Sequence, residues 1–106
     1  MVPWARLSEG DVDAFVQANP RAIVLFTSTG DSECRAREKE IAAALSAMRI
    51  AFAAGRFDAE AKDGRALAAH GVRVLPTVAV FRDGWKFYQA CAAQDGWLDL
   101  LDVFLM

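Results

Sequence analysis

The run Ala22-Ile-Val-Leu-Phe26 constrains this chain more than any other stretch. It is continuously apolar, rich in branched side chains, and bounded by Pro20 and Gly30. A strand that is apolar on both faces needs cover on both faces, so the run predicts the central strand of a layered α/β sheet. The flanking segments supply the cover. Ser8-Glu-Gly-Asp11 reads as a helix start with a hydroxyl N-cap and an acid following it, a stabilising arrangement at exposed N–H groups. Val12, Phe15 and Val16 then form a short apolar stripe that Asn19-Pro20 ends. Residues from about Asp31 to Met48 read as the longest helix, with Ile41, Leu45 and Met48 at helical spacing. Glu33 and Arg37, one turn apart, form a favourable pair on it.

The second half repeats the alternation. A strand is expected over Ala51 to Phe57, and an alanine-rich helix over Glu60 to Ala69, weakened by Gly64 and closed by Gly71. Thr77-Val-Ala-Val-Phe81 is the next strand, and Arg82-Asp83-Gly84 is a hairpin signal leading into Trp85 to Ala90. Asp95 can cap a last helix carrying Trp97, Leu98, Leu101, Phe104 and Leu105, and a short strand is possible near Pro3 to Arg6. Strands separated by helices imply parallel neighbours, and the terminal hairpin adds an antiparallel edge. The expected architecture is a three-layer α/β/α sandwich around a small mixed sheet, one domain spanning residues 1–106.

Composition narrows the function classes. The net charge is −2 with no basic run, so no electrostatic footprint for nucleic acid or an anionic membrane is present. Nothing approaches the roughly 18 apolar residues of a membrane span, and the opening Met-Val-Pro-Trp-Ala-Arg lacks the pattern of a secretory signal. The expected compartment is the cytoplasm. Two cysteines, Cys34 and Cys91, and the single His70 are too few for a closed metal site, so no metal and no cofactor is expected.

His70-Gly-Val-Arg-Val-Leu-Pro76-Thr-Val-Ala-Val-Phe-Arg-Asp-Gly84 resembles the thioredoxin segment of aromatic, glycine, apolar pair, proline, threonine, strand and turn. Ile23-Val-Leu-Phe26 followed by Asp31-Ser-Glu-Cys34 sits where thioredoxins carry a strand and then the W-C-G-P-C motif. The resemblance covers nearly the whole chain and implies the thioredoxin fold. It also implies that Pro76 is cis, and that Leu75 and Pro76 line a groove for an extended peptide. Asp31, Ser32, Ala90, Cys91 and Ala92 would complete that groove.

The same resemblance exposes what is missing. Thioredoxin chemistry needs a thiolate at the N-terminus of the long helix, where unpaired N–H groups and the helix dipole stabilise it. Here that position is Asp31. A carboxylate accepts those N–H groups well, so Asp31 reads as an N-cap. Gly30 and Thr27 stand where the family has tryptophans, and Leu25 where it has a buried acid. Cys34 takes the place of the second, resolving cysteine. Its steps of seven residues to Ile41 and Met48 point it inward, as a buried packing thiol. The competing reading is a monothiol that forms mixed disulfides. Cys91 falls at the end of the last strand, by the third wall of the groove. A Cys34–Cys91 bridge would need Cα atoms within about 7 Å. His70 precedes the helix-ending glycine and is given no catalytic role.

Two functions follow. The preferred one is a redox-inactive adaptor or assembly factor that binds a polypeptide along the cis-proline groove. A weaker resemblance, to thioredoxin-like accessory proteins of hydrogenase maturation, rests on the absent dithiol and on Trp97. The alternative is a monothiol oxidoreductase or thiol redox sensor using Cys34. Trp85, Trp97 and Phe104 mark a possible interaction surface, and the broad apolar stripe of the last helix a possible homodimer contact.

Overall fold

A computed structural model describes residues 4–8, 10–28, 30–46, 52–60 and 63–91, with residues 88, 90 and 91 described by backbone alone. Along this chain run β1 (Ala5–Leu7), α1 (Asp11–Ala18), β2 (Arg21–Thr27), α2 (Ser32–Ser46), β3 (Ala53–Asp58), α3 (Gly64–Ala69), β4 (Thr77–Arg82) and β5 (Trp85–Cys91). The described strands form one mixed sheet in the order β1-β3-β2-β4-β5. β2 lies at its centre, parallel to β3 and antiparallel to β4. Every residue of β2 from Ala22 to Thr27 is buried. The expected central strand and the hairpin at the edge are both present. The expected last helix, with Asp95, Trp97, Leu98, Leu101, Phe104 and Leu105, lies outside the described residues, as do Met48 and Ala92.

Alternation along β2 divides its apolar side chains between two faces. Ala22, Val24 and Phe26 join Val12 and Val16 of α1, Phe57 of β3, Ala66 of α3, and Ala79 and Phe81 of β4 in one core. Ile23, Leu25 and Thr27 face the other way. There α2 lies across the sheet, its Glu38 paired with Arg56, the residue in register with Leu25. Cys34, Ile41 and Leu45 of α2 are each only 1 % exposed. The three expected layers are therefore present. Each fully buried Leu, Ile, Val or Phe contributes on the order of 1.5–3 kcal/mol, so this two-sided burial of β2 is the main anchor of the sheet.

Gly55 sets how closely the first layer approaches. A Cβ built there would fall 2.5 Å from Leu7 Cδ1 and 2.9 Å from Phe15 Cε2, so β1 and α1 close over β3 only because that side chain is absent.

Several boundaries differ from expectation. Ser8 does not cap α1; the N-cap is Gly10, without a side-chain bond. Instead the Ser8 N–H and hydroxyl donate to Asp11 Oδ2 at 3.0 and 2.6 Å, making a turn that delivers the chain into the helix. The turn before α3 is built similarly. The Glu60 N–H donates to Asp63 Oδ2 at 2.8 Å and the Asp63 N–H to Glu60 O at 2.9 Å; Asp63 is 3₁₀-helical and the α-helix proper begins at Gly64, in its first turn. On α2, Arg37 pairs with Glu40 at 3.1 Å rather than with Glu33.

Gly71 closes α3 as expected, at φ +72°. The Val72 N–H reaches Leu67 O at 2.9 Å and the Gly71 N–H reaches Ala68 O at 3.0 Å, the paired bonds of a Schellman ending. Asp83 and Gly84 turn the hairpin at φ +53° and +86°, the left-handed pair that a two-residue type I′ turn requires. The β4–β5 register then slips, with Val80 opposite Tyr88 and Phe81 opposite Lys86. Phe87 is the extra residue of this bulge, and it is 54 % exposed.

Candidate functional site

The register brings the groove segments to one end of the sheet. Phe26 on β2 faces Thr77 on β4, and Thr77 faces Cys91 on β5. Pro76 precedes that row directly, Ala90 and Cys91 close it, and the chain that leaves β2 at Thr27 enters α2 at Ser32. The peptide bond between Leu75 and Pro76 is cis. Pro76 is buried, Leu75 half-buried against the core, and Val74 is 53 % exposed. The Thr77 hydroxyl donates to Val74 O at 2.6 Å and closes this loop upon itself. A second tie holds the far side of the loop. The Gln89 side chain donates to Gly71 O at 2.9 Å, and the Lys86 ammonium donates to His70 O. The His70 ring rests against Phe26, with centroids 5.6 Å apart.

The start of α2 follows β2 at the same end of the sheet. The Asp31 N–H donates to Ser28 O at 3.1 Å, turning the chain into the helix. Asp31 Oδ1 accepts from the Glu33 N–H at 2.8 Å and from the Cys34 N–H at 3.1 Å. This is the capping geometry expected for Asp31, and it occupies N–H groups that would otherwise face an incoming anion. Asp31 and Ser32 are exposed, whereas Cys34 turns beneath them and is 1 % exposed. Its backbone is at the site and its sulfur is not. The side chain of Cys91 is not among those described.

Below Cys34, one helical turn on, lies a feature that the sequence did not announce. Glu38 meets Arg56 beneath the helix, with Arg35 and Asp58 close enough to act on it electrostatically. Burial pushes the Glu38 carboxyl above its ordinary range, and this outweighs the opposing pull of Arg56. The one available signal was Arg56 itself, a charge inside a run otherwise read as a strand. Thr27, at the end of β2, is fully buried, and its hydroxyl has no partner among the described residues.

Chemically, the arrangement is a main-chain surface. It combines a cis-proline loop with exposed flanks, a capped helix start and the end of a sheet edge. Trp85, the described member of the expected interaction surface, is 79 % exposed but lies at the other end of β5 from Cys91. Trp97 and Phe104 are outside the described residues. Among the described residues no helix is long and apolar enough to cross a membrane.

Neither a family model nor any curated protein sequence matches the chain. Solved structures do. The thioredoxin of Fasciola hepatica superposes with a TM-score of 0.77 at 16 % identity, covering 96 % of this chain and 99 % of that one. Thioredoxin f2 of Chlamydomonas reinhardtii gives 0.76 at 16 % identity, covering 93 % of each chain. A point variant of the Halobacterium salinarum thioredoxin gives 0.69 at 21 % identity, covering 99 % of this chain and 91 % of that one. Identities this low carry architecture and not activity, and the chain has a thioredoxin fold.

Proposed function

We propose that this chain is a thioredoxin-like protein that binds another polypeptide along the Leu75–Pro76 loop without using a thiol, as an adaptor or assembly factor. The observation that carries this reading is Asp31. Its carboxylate accepts the Glu33 and Cys34 N–H groups, at the place where thioredoxin chemistry requires a thiolate. The burial of Cys34 adds to it, because a thiol that is 1 % exposed meets no substrate without local opening. An extended peptide can add to a sheet end through main-chain hydrogen bonds, with side-chain pockets giving selectivity. The exposed Val74 beside the loop offers one such contact. We place the protein in the cytoplasm on the same reading.

Affinity capture with and without reductant tests this, using the full chain beside its Cys34→Ser and Val74→Asp variants. The same polypeptide is expected on the parent and on Cys34→Ser, and it is lost from Val74→Asp while the fold is kept. Loss with Cys34→Ser, together with a reductant-sensitive adduct on the parent, would overturn the adaptor and leave a monothiol oxidoreductase or redox sensor.

A further inference from the structure

At the end of the sheet opposite the proline loop, one transverse row sets two arginines beside a tryptophan, and a phenylalanine adjoins the first arginine. Arg21, the first residue of β2, lies directly opposite Arg82, the last of β4. Arg82 in turn lies opposite Trp85, the first residue of β5. Phe52, the residue before β3, lines the same cavity as Arg21. Register partners point to the same side of a sheet, so Arg21, Arg82 and Trp85 share the face that carries α2. A cavity of about 350 Å³ opens next to Arg21, lined by Asn19, Pro20, Arg21, Phe52 and Ala53.

Like charges directly across a strand pair are destabilising. This sheet holds another such pair, Arg6 opposite Arg56, and there Glu38 neutralises Arg56. Arg21 and Arg82 have no counterpart to Glu38: among the described residues no carboxylate pairs with either. The Arg21 Nε is buried and has no hydrogen-bond partner among them. The nearby polar groups are committed elsewhere. The Asn19 amide donates to Phe15 O at 2.8 Å, and the Asp83 N–H donates to Pro20 O at 2.8 Å while its side chain is exposed.

We propose that this row binds a small organic anion, a carboxylate or phosphate head held by Arg21 and Arg82, with a flat apolar body against Phe52 and Pro20. A guanidinium is a planar fork that receives either head in bidentate fashion. A bound anion also removes the like-charge opposition between Arg21 and Arg82. Trp85, 79 % exposed at the other end of the row, extends the aromatic wall. The site is separate from the proline loop and needs no thiol.

Titration of the full chain with phenyl phosphate, followed by backbone amide shifts, tests the proposal. Saturable shifts are expected at residues 19, 21, 52 and 53, and inorganic phosphate, lacking the ring, binds several-fold more weakly. Arg21→Gln and Arg82→Gln each lose tenfold or more in affinity, and Phe52→Ala loses several-fold for phenyl phosphate but not for inorganic phosphate. Without ligand, Arg82→Gln raises Tm, because it removes the like-charge opposition; a merely structural arginine would lower it. Arg82→Gln and Phe52→Ala carry the test should Arg21→Gln fail to fold. Shifts that never saturate, shifts as large around Arg65 and Arg73, or unchanged affinity in the variants would each overturn the site.

Discussion

Asp31 shows how one side chain can settle what a helix start is for. Its carboxylate takes two N–H groups at the beginning of α2, so the helix N-terminus is satisfied within the chain. A thiolate at that position would be poised to react, whereas a carboxylate there only stabilises. Replacing an N-cap Asp by Ala typically costs about 1 kcal/mol. Asp31→Ala is accordingly expected to lower the stability of the protein by about that amount, read as a lower urea midpoint at an unchanged slope. Asp31→Asn, which keeps an acceptor oxygen, should sit close to the parent. A loss equally large for Asn and Ala would mean that Asp31 acts through its charge and not through its cap. Asp31 was legible in the sequence because every partner it uses lies within three residues. Glu38 was not legible: its meeting with Arg56 joins a helix to a strand, and no local spacing announces such a pair.

At the scale of elements, close approach does more than propensity. β3 carries Gly55 among residues that would suit a strand better, and the reason lies in other elements: Leu7 of β1 and Phe15 of α1 occupy the space of its missing side chain. Gly55→Ala should force both away, and overpacking of this kind typically costs about 1–3 kcal/mol. The expected result is a lower Tm that Leu7→Ala partly restores in the double variant, since that change frees the nearest contact. Simple addition of the two losses would place the strain elsewhere. The central strand β2 and the β4–β5 hairpin were readable for the opposite reason, an apolar run and a turn dipeptide being local statements. The start of α3 is blurred in sequence because Glu60 and Asp63 do exchange bonds as a first helical turn would, Asp63 taking 3₁₀ geometry, while the α-helix proper begins at Gly64. The tie of Lys86 and Gln89 to the α3–β4 connection spans 16 and 18 residues, beyond any sequence pattern.

For the whole molecule, the reactivity of Cys34 joins these scales. The thiol is buried beneath the first turn of α2, and that turn is held by Asp31. Reagent can reach the sulfur by fraying of that turn alone or by unfolding of the entire protein, and helix ends open at lower free energy than cores. Fraying should therefore dominate. The expected alkylation of Cys34, resolved from Cys91 by peptide mass, is far slower in the native protein than in the unfolded chain. Its rate should change little with urea below the unfolding transition, because fraying exposes little surface. Asp31→Ala should then raise the native rate about fivefold, the factor that roughly 1 kcal/mol of opening free energy confers. A rate that climbs with urea from the outset would assign exposure to global unfolding and remove Asp31 as its gatekeeper. A native rate equal to that of a free thiol would remove the buried-thiol account altogether and return Cys34 to the site as a nucleophile.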